Sequence, residues 1–384
     1  IALKDRGSIL PGGHTADAAY WYDSADGYWI TSSFYMKELP TWVQKFNSEA
    51  RPQKYISKGW NTLYPIATYT RSAEDDSPFE SKLPGEKTPT FPHELKGGNP
   101  LEVMRTTPFG NTLTKDFAIK AIDEENLGKN GTTDFLAISF SSTDYVGHIL
   151  GPRSMELQDT YLRLDLTIAD FLNYLDKTVG KGNYLVFLTA DHAGAENARF
   201  LHDNKYDVTN LDSKELDKNL EKFSTDTFGE DLVLRYDSFN LFFDKNKIKA
   251  KGLDLSKVKQ AFKDFLMTQN YVKRVYTEEE ILVNSGADYH LNCIAKGYDV
   301  TQNGDMIVLD KPGYIEYGPT GTSHGTTYSY DTHVPLLFYG WNIKKGECHE
   351  KKIITQIAPT LSQKLKITLP NGTESEILNE ILEK

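Results

Sequence analysis

Acidic and histidine side chains recur in this chain next to short apolar segments that are typical of buried strands. They are Asp144, His148, Asp191, His192 and His324. In open α/β sheets, ligands bind outside the carboxyl ends of the strands, so we expect loops at different strand ends to bring these side chains together. Carboxylate and neutral imidazole are ligands that Zn²⁺ prefers. The pattern therefore predicts a zinc centre built from two carboxylates and three imidazoles.

The five side chains divide into two ligand sets. Asp144, His148 and His324 provide three ligands for one ion, while Asp191 and His192 provide two ligands for a second. Two such ions can hold the entering and leaving oxygens of a displacement at phosphorus. For any one of these residues, an ordinary hydrogen-bonded pair or a loop position is the more common role. The prediction depends on all five occurring together, because a buried Asp is rare without a partner.

Two cationic side chains, Lys4 and Arg6, stand two residues apart in a segment predicted to be strand-like and followed by a glycine-rich loop. On a strand they would point to the same side. Two cations on one face can bind a phosphate or a carboxylate, although a surface pair of this kind is more often simply solvated.

The other histidines are assigned ordinary structural roles. They are His14, His93, His202, His290, His333 and His349. Among them, only His333 is near enough in sequence to the predicted ligands to hold one of them in place without binding the metal itself.

Composition limits the classes of partner. The 384 residues carry a formal net charge of −11, which argues against a nucleic-acid backbone or an anionic membrane as the main partner. A small anionic substrate stays compatible with this charge, because metal ions reverse the local field. No apolar run approaches the ~20 residues that span a bilayer. Whether the two cysteines, Cys293 and Cys348, form a disulfide cannot be deduced from the sequence.

The order of elements predicts an α/β fold with a mostly parallel sheet flanked by helices. Apolar segments 134–139 and 184–190 are predicted strands, and a helical stripe over 154–178 connects them as a right-handed crossover. Residues 1–199 and 291–384 are predicted to form this core, with an irregular, proline-rich cap over 37–112. Residues 200–290 are predicted to form an inserted α+β subdomain.

The motifs resemble those of the alkaline phosphatase superfamily. The similarity is greatest to the phosphate-irrepressible periplasmic alkaline phosphatases that are related to type I phosphodiesterases and nucleotide pyrophosphatases. The segments that carry it are Ser142-Thr-Asp-Tyr-Val-Gly-His148, Leu188-Thr-Ala-Asp-His192 and Gly321-Thr-Ser-His-Gly325. The resemblance covers nearly the whole chain, and the combined spacing is specific.

The resemblance implies two Zn²⁺ ions, one on Asp144, His148 and His324 and the other on Asp191 and His192. It also implies that Lys4 and Arg6 contact the transferred phosphoryl group, since the family has a Lys-x-Arg at this place. Such a pair matches the double charge of a terminal phosphate, so the expected substrates are small phosphate monoesters. The expected location is periplasmic or secreted.

The resemblance also implies a Thr or Ser nucleophile that stands before the Lys-x-Arg segment. Thr15, Thr143 and Ser323 lack the expected context, so we expect no nucleophile in this chain and a separate upstream segment as its partner. The phosphatase would then use a phospho-threonine or phospho-serine intermediate. The alternatives are a phosphodiesterase or sulfatase of the same superfamily, or a non-catalytic metal-binding fragment.

Overall fold

The computed structural model describes residues 1–284 and 286–382. The α-helices are α1 Asp5–Gly12, α2 Thr41–Ser48, α3 Arg51–Ile56, α4 Pro100–Val103, α5 Phe109–Glu124, α6 Ser142–Leu150, α7 Met155–Leu175, α8 Ala198–Asp203, α9 Ser213–Phe228, α10 Lys245–Ala250, α11 Leu255–Met267, α12 Glu278–Leu282, α13 Tyr289–Gly297, α14 Ser329–Thr332 and α15 Ile357–Leu365. The strands are β1 Trp21–Asp23, β2 Tyr28–Ile30, β3 Leu185–Leu188, β4 Val233–Asp237, β5 Asn240–Phe243, β6 Val272–Thr277, β7 Met306–Asp310 and β8 Leu337–Gly340. None of these helices combines the length and the apolar character needed to cross a bilayer. Both cysteines are free thiols.

The structure confirms a mixed α/β fold, but its paired strands run differently from the prediction. Among the described residues, β3 pairs with β8 antiparallel, and the order β4-β5-β7-β6 forms a four-stranded antiparallel sheet. Parallel pairing among the described residues is limited to isolated bridges, which join Ala2 to Trp21 and to Ser139, and Asn210 to Ile315. The prediction of a mostly parallel sheet is therefore not confirmed, because an apolar run indicates burial and says nothing about the direction of its neighbour.

The buried start of the chain connects two other segments. The amino group of Ile1 donates to the carbonyl oxygen of Ala137 at 2.9 Å, and the amide of Ser139 donates back to Ile1 at 2.9 Å. On the other side, the amide of Ala2 donates to the carbonyl oxygen of Tyr20 at 3.2 Å. Segment 134–139 is thus extended and paired with residues 1–2, although it does not form a regular strand. This pairing places Lys4, the residue before α1, beside α6.

The four-stranded sheet packs around a hydrophobic core of its own. Its buried residues include Leu241, Phe262 and Met306, which come from a strand, a helix and a further strand. Strand β7 belongs to this sheet although it lies beyond residue 290, the predicted end of the inserted subdomain. All five residues of β7 are buried, so this strand lacks the alternation of polar and apolar residues that marks a strand with one exposed face. Its sequence therefore does not indicate which sheet it joins.

A single buried carboxylate fixes part of the irregular cap onto α7. Asp159 is fully buried and accepts hydrogen bonds from the indole of Trp60 at 2.7 Å, the amide of Leu63 at 2.7 Å and the hydroxyl of Tyr69 at 2.5 Å. Its charge is balanced by Arg163, one helical turn later, at 2.6 Å. These bonds satisfy buried donors of the cap in a region without regular secondary structure.

We expect Asp159→Asn to lower the free energy of unfolding by about 2–4 kcal/mol, because it leaves Arg163 unpaired and turns an amide donor toward other donors. Chemical denaturation measures this loss. The control is Asp165→Asn, which changes an exposed carboxylate on the same helix and should shift stability by less than about 0.5 kcal/mol. Equal stability of the two variants would contradict the anchoring role.

Candidate metal centre

Helix α6 presents Asp144 and His148 on one side. The two residues are four apart, in the first and last turns of the helix, so their side chains lie on the same face. Val146 and Leu150 are buried and anchor α6 to the core. Gly151, with φ of +87°, ends the helix and turns the chain toward α7.

Three imidazoles converge on one carboxylate oxygen. The Nε2 atoms of His148, His192 and His324 lie 3.3, 3.6 and 3.6 Å from Oδ1 of Asp144. Ligand atoms of Asp144, His148 and His324 all lie within 4.8 Å of one another. The structure therefore brings together side chains that are up to 180 positions apart in the sequence, as the difference between 144 and 324 shows.

The charge states of His324 and Asp144 suit metal binding. Burial, and then the neighbouring His192, lowers the pKa of His324 to about 4, so this imidazole is neutral at neutral pH. The two rings stack with centroids 3.3 Å apart. Burial alone would raise the pKa of Asp144, but His148 and Lys4 outweigh it and hold the carboxyl well below its usual range. A charged carboxylate beside neutral imidazole is a donor set that fits a divalent metal ion.

A backbone carbonyl orients His148. Its Nδ1 lies 2.8 Å from the carbonyl oxygen of Thr322, which fixes the proton on Nδ1 and leaves Nε2 toward Asp144. This is the usual way in which an outer group sets the tautomer of a ligating histidine.

Lys4 and Arg6 are placed differently from the strand prediction. Lys4 is the residue before α1, and Arg6 lies in the first helical turn, so the two do not share a strand face. The Lys4 ammonium forms an ion pair with Oδ2 of Asp144, opposite the oxygen that faces the imidazoles. Arg6 is exposed. The structure thus brings Lys4 into the centre and leaves Arg6 at the surface.

Asp191 stands apart from the group around Asp144. Its side chain is 89% exposed, and its Oδ2 lies 3.5 Å from Nε2 of His192. His192 therefore lies between the two carboxylates, at 3.5 Å from Asp191 and 3.6 Å from Asp144.

Asp331 is a supporting residue that the sequence analysis missed. It is buried, whereas His333, to which the supporting role was assigned, is exposed. Oδ2 of Asp331 accepts from the amide of Gly325 at 3.1 Å and from the amide and hydroxyl of Thr326 at 2.8 and 2.6 Å. Its carbonyl oxygen accepts from the amide of Ala193 at 2.8 Å. Asp331 therefore holds the loops of both His324 and His192.

Comparison with known proteins finds relatives that match this chain over its whole length. Residues 2–333 match the family model described as type I phosphodiesterase / nucleotide pyrophosphatase. The chain is 43% identical to a protein named calcium-transporting ATPase from Myroides odoratus, over all of this chain and 72% of that protein. It is 42% identical to alkaline phosphatase PhoV from Synechococcus elongatus, over all of this chain and 70% of PhoV.

A solved structure has the same fold. The crystal structure of wild-type alkaline phosphatase PafA superposes with a TM-score of 0.94 at 41% identity, covering 99% of this chain and 74% of that one. PafA from Elizabethkingia meningoseptica is 42% identical over all of this chain and 71% of its length.

We expect Asp331→Ala to weaken binding of a divalent metal by about 10- to 100-fold, because the loop of His324 loses the carboxylate that accepts from Gly325 and Thr326. Competition with a chromophoric chelator measures the affinity. Thr332→Ala, at the exposed neighbouring position, is the control and should bind normally. Unchanged affinity in a folded Asp331→Ala protein would exclude the supporting role.

Proposed function

This chain belongs to the type I phosphodiesterase/nucleotide pyrophosphatase family of the alkaline phosphatase superfamily, and we propose that it carries the metal- and phosphate-binding groups of a zinc-dependent phosphatase that hydrolyses phosphate monoesters. The observation that carries the proposal is the convergence of three Nε2 atoms on Oδ1 of Asp144, with an ammonium group on Oδ2. The similarity to PhoV and PafA, both named alkaline phosphatases, supports it.

We assign one zinc ion to Asp144, His148 and His324, and a second to His192 and Asp191. The nitrogen and carboxylate donors favour zinc over the hard cations, which prefer oxygen alone. When bound, zinc supplies a Lewis acid that stabilises negative charge on oxygen. The side chains of this chain hold the site in the required charge state, through a neutral His324 and an ionised Asp144.

We propose that Lys4 and Arg6 give the enzyme a preference for monoesters. The Lys4 ammonium lies beside Asp144, and the exposed Arg6 follows in the first turn of α1. A terminal phosphate carries about two negative charges near pH 7, whereas a diester carries one. With both cations on the phosphoryl group, as the family resemblance implies, a bound monoester is stabilised more than a diester, and the stabilisation grows as charge shifts onto the phosphoryl oxygens.

We further propose that the nucleophile comes from outside these 384 residues. The hydroxyl of Thr143, near the centre in sequence, donates to the carbonyl oxygen of Phe140 at 3.2 Å. The relatives extend beyond the matched region, since this chain spans about 70% of their length. Phe135, Leu337 and Tyr339 are large apolar side chains exposed around β3 and β8, on a face suited to another segment. A periplasmic or secreted location is part of the same proposal and is supported by the family resemblance.

The rival activities are diester and sulfate ester hydrolysis by the same centre. Both substrates present a single negative charge at the reacting group, so they would gain less from Lys4 and Arg6. ATP is a useful additional substrate, because one relative is named an ATPase and the terminal phosphate of ATP carries the charge of a monoester.

In the full-length enzyme, we expect Lys4→Ala and Arg6→Ala to lower kcat/KM for an aryl phosphate monoester by about 10²- to 10³-fold. The rate on a bis-aryl diester should fall by less than about tenfold, since the diester lacks the second charge. Lys45→Ala, at an exposed lysine on α2, serves as the control. Equal losses on both substrates would contradict the assignment to monoesters.

Chelation of the full-length enzyme should abolish monoester turnover, because the imidazoles and carboxylates of the centre bind substrate only through metal. We expect Zn²⁺ to restore the rate and Mg²⁺ alone to fail, since nitrogen donors dominate the site. Steady-state kinetics with elemental analysis follows both steps. Full activity of a metal-free enzyme would refute the proposal.

A further inference from the structure

The ammonium of Lys4 lies against an aromatic ring as well as against Asp144. Its Nζ is 4.7 Å from the centroid of the Tyr145 ring, within the distance at which a cation is attracted to the face of an aromatic ring. The Lys4 side chain is only 17% exposed, so water competes weakly for the ammonium. Asp144 and Tyr145 are consecutive in α6, and their side chains point about 100° apart around the helix, so they meet the ammonium from two sides.

A second cation, Arg105, holds the same ring from the cap. Its Nη1 donates to the hydroxyl of Tyr145 at 3.2 Å, and its Cζ lies 5.0 Å from the ring centroid. The guanidinium also forms an ion pair with Glu102, which accepts from the hydroxyl of Ser24 at 2.6 Å. The orientation of the Tyr145 ring is therefore fixed by the cap as well as by α6.

The two contacts of Lys4 respond differently to a bound metal. Asp144 is a proposed zinc ligand, so its negative charge is shared with the ion in the loaded site, and its attraction for the ammonium weakens. The ring of Tyr145 carries no net charge and belongs to no ligand set, so its attraction for the ammonium persists. In the loaded site, this ring is thus the contact that keeps Lys4 in place.

We propose that Tyr145 is a positioning residue for the phosphatase reaction, whose ring keeps the Lys4 ammonium where it meets the phosphoryl group. The inference rests on the proposed function, in which Lys4 binds that group. It adds a support for the cation outside the metal ligands, from α6 and, through Arg105, from the cap. A lysine side chain that is held in advance loses less rotational freedom when it binds an anion, so it binds more tightly.

Tyr145 also packs against the main hydrophobic core, so a purely structural role is the alternative. The two roles differ in whether the effect of Tyr145 depends on Lys4. A positioning residue has little further effect once the lysine is removed, whereas a structural residue disturbs the site with or without the lysine.

The test is a double-mutant cycle in the zinc-loaded full-length enzyme, with the binding of inorganic phosphate measured by calorimetry. We expect Tyr145→Leu to weaken phosphate binding by about five- to thirtyfold when Lys4 is present, and by less than about twofold in the Lys4→Ala background. The kcat/KM for an aryl phosphate should follow the same pattern. Elemental analysis should find the zinc content of both Tyr145→Leu proteins unchanged.

Tyr55→Leu is the matched control. Tyr55 is partly buried against the same core, its ring lies 5.5 Å from Nζ of Lys58, and its hydroxyl hydrogen-bonds to the charged Asp116. It shares these features of Tyr145, but the lysine that it meets is not Lys4. The Tyr55→Leu protein should bind phosphate within about twofold of wild type.

A second pair of variants separates the charge of the ring from its packing. Tyr145→Phe keeps the ring and loses only the hydroxyl, so we expect phosphate binding within about threefold of wild type. Tyr145→pentafluorophenylalanine fills a similar volume with an electron-poor ring, and it should bind phosphate about tenfold more weakly than Tyr145→Phe. This pair decides the question if Tyr145→Leu does not fold.

Two results would overturn the inference while leaving the proposed function standing. The first is an equal loss of phosphate binding from Tyr145→Leu with and without Lys4, which would indicate a structural role. The second is equal phosphate affinity of the Tyr145→Phe and Tyr145→pentafluorophenylalanine proteins. If Lys4→Ala alone leaves phosphate binding and the preference for monoesters unchanged, both the inference and the proposed role of Lys4 are overturned.

Discussion

The structure depends on keeping one partly buried carboxylate ionised. Asp144 is surrounded by three imidazoles on one oxygen and an ammonium on the other, and among these groups His148 and Lys4 overcome the cost of its burial. Without such neighbours, burial would raise the pKa of this carboxyl and weaken its binding to a metal. The charge balance at Asp144 therefore requires the fold to join the chain start to α6, and the donor set further requires the two distant loops of His192 and His324.

Backbone close approach makes this junction possible. Gly321 has φ of +74°, and a Cβ at this position would collide with the carbonyl of His148. The loop can therefore pass against the end of α6 only with glycine there. The next carbonyl, from Thr322, then reaches Nδ1 of His148 at 2.8 Å. The close backbone contact at Gly321 therefore also determines how the metal ligand His148 is oriented.

The sequence predicted the residue types of the centre better than it predicted the elements that position them. Asp144 and His148 were assigned to one ion from their residue types and their place after an apolar segment, whereas the helix α6 that holds them on one side was not predicted. Lys4 and Arg6 could not be placed correctly, since an i, i+2 pair shares a side on a strand but not on the helix that forms there. Asp331 was missed because its role comes from burial and from amides of a neighbouring loop, which carry no residue-type signal. The strand directions were missed for a similar reason, because burial of an apolar run is independent of its partner.

Helix α7 links the cap to the centre through charges rather than through apolar contact alone. Asp159 binds the cap near Trp60, and Glu156, one turn earlier, binds His93. The helix starts directly after the turn that ends α6, the helix of Asp144 and His148. The irregular cap has few backbone hydrogen bonds of its own, so these buried side chains set its position. The cap in turn forms a backbone hydrogen bond with the loop at Gly321. The acidic residues of α7 therefore determine how rigidly the outer layer supports the metal ligands, although none of them belongs to the ligand set.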